Sequence, residues 1–105
     1  MYETTTKIYF KIAEDLLERI GTGDFFAGTV MVYDEDECVE CRLICTLVVH
    51  RAERVNRRWG IRPIERVLPV WWEMRSYRDG VEVDNDFSFS ELDLVPDKDV
   101  WYYEE

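Results

Sequence analysis

A chain of 105 residues, 47% apolar and 14% aromatic, holds enough material for a hydrophobic core, and no Pro/Gly/Ser-rich stretch divides it into two halves, so a single domain over 1–105 is expected. The net charge of −10 opposes long-range attraction to nucleic acid. Its spread is uneven: four basic against ten acidic groups over residues 1–50, eight against three over 51–78, and one against ten over 79–105.

The first seven residues lack the basic flank and apolar stretch of a secretory signal, and no run reaches the length of a membrane span. Three cysteines cannot close a disulfide framework without leaving one over, so free thiols and a cytoplasmic location are expected.

Ile8, Ile12, Leu16 and Ile20 recur every four residues, with Tyr9, Ala13 and Leu17 beside them, which predicts an amphipathic helix over 6–20. Thr5 or Thr6 can cap its start, Lys11 to Asp15 and Asp15 to Arg19 are opposite charges one turn apart, and Gly21 can end it. Residues 4–10 also carry strand propensity, the alternative at this end.

Over 25–50 the apolar period changes to two around the acidic run 34–37, which predicts a hairpin. Pairing outward from Tyr33 and Cys38 sets Val32 against Val39, Val30 against Cys41, Gly28 against Leu43 and Phe26 against Cys45 on one face. The reverse face then holds Met31 with Glu40, Thr29 with Arg42 and Ala27 with Ile44.

Asp79-Gly80 suits a two-residue turn with positive φ and predicts a second hairpin. Pairing outward from Arg78 and Val81 sets Trp72 against Phe87, Val70 against Phe89 and Met74 against Asn85, with Arg75/Asp84 and Tyr77/Glu82 behind. Pro69 signals a bulge or a sheet edge. A helical turn over 90–95, capped by Ser90, is expected to follow.

Cys38-x2-Cys41-x3-Cys45-x4-His50 has the residue types of a zinc site, but an extended chain separates Cys41 from Cys45 by about 13 Å and turns Cys38 and His50 to the other face. Buried structural thiols are therefore expected at 41 and 45, with no metal site and no cofactor. The chain carries no nucleophile elbow, no phosphate-cradling glycine loop and one histidine, so no catalytic residue is assigned.

Two features point outward. Arg54, Arg57, Arg58 and Arg62 surround Trp59 in a loop bounded by Arg51 and Arg66, where guanidinium groups can fork onto phosphates and an indole can stack on a base. The opposing expectation is that these arginines meet the domain's own acidic turns. Trp71, Tyr77, Val67 and Ile44 are expected on the sheet face away from the helix, where the tail 101–103 or another molecule must cover them.

The expected fold is α+β, an N-terminal helix packed on a four-stranded antiparallel sheet made of two hairpins. The expected function is a small acidic, non-enzymatic protein-interaction or accessory domain, with an unidentified partner or itself in a homodimer. The alternative is a nucleic-acid-binding module using the Arg-rich loop 51–66. No membrane contact is expected.

Overall fold

Helix α1, Thr6–Ile20, forms where the four-residue spacing places it, and its buried side chains are Ile8, Ile12, Ala13, Leu16 and Ile20. The computed structural model describes residues 1–53 and 62–95. Thr5 is the cap: its Oγ1 accepts the Ile8 N–H at 3.3 Å. Gly21 closes the last turn by donating its N–H to the Leu17 carbonyl at φ 55°, a region that favours glycine. Asp15 pairs with Arg19 at 3.4 Å, and no Lys11–Asp15 ion pair occurs among the described residues.

Strands β1 (Phe25–Asp34), β2 (Val39–Arg51), β3 (Ile64–Arg78) and β4 (Val81–Val83) build one antiparallel sheet in the order β1-β2-β3-β4. The fold is the expected α+β arrangement. Val30, Val39, Cys41, Leu43, Cys45, Leu47 and Val49 face the core on the helix side, joined by Phe87, Phe89 and Leu94 from the chain after β4.

The first hairpin departs from the expected register by two residues. Val32 pairs with Cys41, Val30 with Leu43, Gly28 with Cys45 and Phe26 with Leu47, so the loop is 35–38 rather than 34–37. The cause is Asp34, which turns inward instead of joining the loop. Its Oδ1 accepts the N–H groups of Asp36 (3.0 Å) and Glu37 (3.2 Å), while its Oδ2 accepts the Tyr2 hydroxyl at 2.7 Å. A slip of two residues leaves every side chain on its face, so the core and solvent sets survive it.

The second hairpin turns at Asp79 (φ 53°) and Gly80 (φ 78°), with Arg78 opposite Val81 and Tyr77 opposite Glu82 as expected. Its ladder then stops at Val83, because the N-terminus claims the next residues. Tyr2 donates to the Asp84 carbonyl at 2.7 Å and accepts from the Asp86 N–H at 3.2 Å. The expected pairings of Trp72 with Phe87 and Val70 with Phe89 therefore do not form as strand contacts. Trp72 instead meets the Phe87 ring edge-on at 5.4 Å and Phe89 at 6.3 Å. Arg75 contacts Glu73 at 3.0 Å and Glu82 at 3.9 Å rather than Asp84. The helical turn is a short 3-10 segment, Phe89–Glu91, earlier than the expected 90–95, and Ser90 does not cap it.

At Pro69 the structure contains both expected features. Thr46 pairs with Trp71 but Leu47 with Pro69, so Val70 is an extra residue in β3, and β4 leaves this stretch of β3 at the sheet edge.

Candidate interaction surface

The alternation of β2 sends Glu40, Arg42, Ile44, Thr46, Val48 and His50 to the face away from α1. The register places Tyr33 and Tyr77 beside Glu40, Met31 and Arg75 beside Arg42, and Thr29 and Glu73 beside Ile44. Further along, Ala27 and Trp71 flank Thr46, and Phe25 and Leu68 flank Val48. Phe25, Met31 and Trp71 are each more than half exposed, Tyr33 and Leu68 are also exposed, and Ile44 and Val48 are half-buried. No described element lies across this face.

The face has two zones. Toward the hairpin turns it is polar and internally compensated: Arg42 pairs with Glu40 at 2.6 Å and lies 5.0 Å from the Tyr77 ring centroid, while Arg75 is held between Glu73 and Glu82. Those carboxylates hold the Arg75 guanidinium well above its ordinary value, chiefly through the Glu73 hydrogen bond. Toward the other end it is apolar, with Phe25, Val48, Leu68 and Trp71 adjacent across three strands.

Of the four face residues named from sequence, Trp71, Tyr77 and Ile44 lie on this open face. Val67 does not: it pairs with Val49 and packs against the core. The extra residue at Val70 inverts the parity of β3, so positions 66 and 68 point outward and 67 and 69 inward. Val67 instead lines a groove of about 460 Å³ with Pro69, Trp72, Phe89, Leu92 and Leu94. Residues 101–103, expected as one cover for the open face, lie outside the described residues.

Sequence reasoning placed Met31 on this face but missed Phe25, Tyr33 and Leu68 as members of the surface. The period-two pattern of β1 carried the first two, but Leu68 needed the bulge to be located.

In the Arg-rich stretch, Arg51 is structural. Its Nε and Nη2 donate to the Gly23 carbonyl (3.0 and 2.7 Å), Nη2 also to the Gly21 carbonyl (2.9 Å), and Nη1 to the Arg62 carbonyl (2.8 Å). One guanidinium thus ties the end of α1 to the base of the connection. Arg62 and Arg66 are exposed, and Arg54, Arg57, Arg58 and Trp59 lie outside the described residues.

Cys41 and Cys45 are buried and Cys38 is exposed in the turn, all three as free thiols, while His50 is exposed on the opposite face from Cys41 and Cys45. Burial pushes the Cys45 thiol up to about 11 and raises Cys41 as well. Alkylation of the native protein is expected to label Cys38 alone, with the other two reacting only after unfolding. A mass spectrum showing two or more labels under native conditions would contradict their burial. Ser76, paired across the sheet with Cys41, has a buried Oγ that finds no hydrogen-bond partner among the described residues.

Behind the first hairpin, the Tyr2 hydroxyl and Asp34 carboxylate form a buried pair. Donation from Tyr2 holds Asp34 below the usual carboxylate range, aided by the Glu37 and Asp36 N–H groups against the opposing effect of burial. Burial, then the Asp34 hydrogen bond, raises the Tyr2 hydroxyl far above its ordinary value. The arrangement ties the N-terminus to the turn.

Among the described residues no helix is long and apolar enough to cross a membrane. No protein-family model, curated protein or solved structure matches this chain.

Proposed function

We propose that this domain is a non-enzymatic protein-interaction module, acting in the cytoplasm, that engages a partner through the open face of its sheet. The observation that carries the proposal is the exposure of Trp71 beside Leu68, Val48 and Phe25, an apolar zone bordered by compensated charges. A water-excluded aromatic at the centre and a polar rim are the anatomy of protein interfaces. The three free thiols suit a reducing compartment.

The test compares capture of partners from source lysate by the immobilised domain and by its Trp71→Ala variant. A partner of this face is expected to bind the variant at least about thirtyfold more weakly, the loss of a hot-spot aromatic of about 2 kcal/mol. Equal retention of every captured protein by the two forms would end the proposal.

A further inference from the structure

We propose that two copies of this chain associate by pairing their β1 strands edge to edge, antiparallel about a two-fold axis at Thr29, into one continuous eight-stranded sheet. This interface lies at the rim of the sheet and is centred on Thr29, sharing Phe25 but not Trp71, Leu68 or Val48 with the apolar zone proposed above.

The sheet has two long edges, and they are built differently. The edge of β3 beyond the reach of β4 carries Pro69, the extra residue at Val70, and the charges of Glu65, Arg66, Glu73 and Arg75. Each of these is a device that prevents strand addition. The edge of β1 has none of them. Residues 25–33 hold no charge and no proline, and the ladder to β2 runs from Phe25 to Asp34 without a bulge.

The backbone groups on that edge can be assigned. The Asp24 carbonyl accepts the Val49 N–H at 2.8 Å, so even-numbered residues bond inward to β2. Phe25, Ala27, Thr29, Met31 and Tyr33 therefore present their N–H and C=O groups outward. Among the described residues a single side-chain bond occupies this edge: Arg19 Nη1 donates to the Thr29 carbonyl at 2.9 Å, which confirms the assignment. In the dimer the second copy's Thr29 N–H takes that place.

The strand complements itself. About Thr29, Phe25 meets the second copy's Tyr33 and Ala27 meets Met31 on the open face, while Gly28 meets Val30 and Phe26 meets Val32 on the other. Phe25 and Tyr33 pair two aromatics, Phe26 meets the β-branched Val32, and Ala27 and Gly28 each face a larger residue, pairings that stabilise antiparallel strands. About ten main-chain hydrogen bonds form over the paired stretch. Because only one edge accepts a strand, the assembly closes at two copies instead of growing into a fibre.

Sedimentation over a concentration series tests this. The wild-type chain is expected to convert from monomer to dimer, more readily as salt screens the repulsion between two copies of net charge −10. Thr29→Lys and Thr29→Glu each place like charges opposite one another at the axis and are expected to dimerise more than about tenfold more weakly. Mixing the two variants is expected to restore a dimer containing one of each. Thr29→Pro, which removes an N–H that β2 does not use, is expected to stay monomeric.

A wild-type chain that remains monomeric throughout, or Thr29 variants that dimerise like wild type, would overturn the proposal. So would a mixture of the Lys and Glu variants that stays monomeric. Trp71→Ala is expected to leave the dimer intact; if it alone abolishes dimerisation, the open face is the self-interface and the edge is not. Loss of partner capture by Trp71→Ala with the dimer unchanged separates the two surfaces.

Discussion

Leu43→Ala is expected to lower stability by about 2–5 kcal/mol, whereas Ile44→Ala, one residue along, costs under about 1 kcal/mol. Leu43 is fully buried at the centre of β2, between Val30 and Met74, while Ile44 is half-buried between Thr29 and Glu73 on the face that no described element covers. A domain of this size is stable by only about 5–15 kcal/mol, so the first change removes a large share of the total. Urea titration reads both: the Leu43 variant should shift its midpoint with little change in slope. Equal losses at the two positions would mean that the open face is packed like the core.

Asp34→Ala is expected to cost about 2–4 kcal/mol, because it leaves a buried tyrosine hydroxyl and two backbone N–H groups without their acceptor. The same carboxylate sets an acid limit. Its folded-state value is lowered, so its stabilisation is fully present above the ordinary aspartate value near 4 and is lost as pH falls through the lower folded value. Wild-type stability should therefore decline on acidification below about pH 4, and the Asp34→Ala profile should lack that component. Urea midpoints measured at a series of acidic pH values check this; parallel profiles for the two proteins would refute the role given to Asp34.

How far the sequence revealed this architecture depended on the range of the interactions involved. Helix α1 was legible because its apolar spacing, threonine cap and terminal glycine are local and agree with one another. The Asp79-Gly80 turn was legible for the same reason. In the first hairpin the faces were legible but the register was not, since a two-residue slip preserves every face and only the inward turn of Asp34 decides between the alternatives. An acidic run such as 34–37 reads as solvated, and nothing local marks one of its carboxylates for burial against a tyrosine 32 positions earlier.

The short β4 has a similar cause. Hydrogen bonds from Tyr2 to Asp84 and Asp86 join opposite ends of the chain and override a pairing pattern that continues past Val83. For the candidate surface, alternation was enough to place Ile44, Trp71 and Tyr77 together. It failed at Val67 because a proline announces an irregularity without saying which residue is extra. Arg51 shows the corresponding ambiguity of charge: a guanidinium that binds four backbone carbonyl contacts within its own fold looks, in sequence, like one awaiting a phosphate.

The surplus residue at Val70 acts on β3 as a frameshift acts on a message. On one side of it odd positions meet solvent, on the other even ones do, so Leu68 and Trp71 share a surface that an unbroken strand would have divided between inside and outside. Deletion of that residue would rotate residues 66–69 half a turn against the remainder, replacing Leu68 by Val67 on the exterior and setting Arg66 toward the helix. The composition of this segment is thus tolerable in only one reading frame, which the surplus residue at Val70 maintains over 66–69 and a second register shift at Glu65 resets so that Ile64 returns to the core.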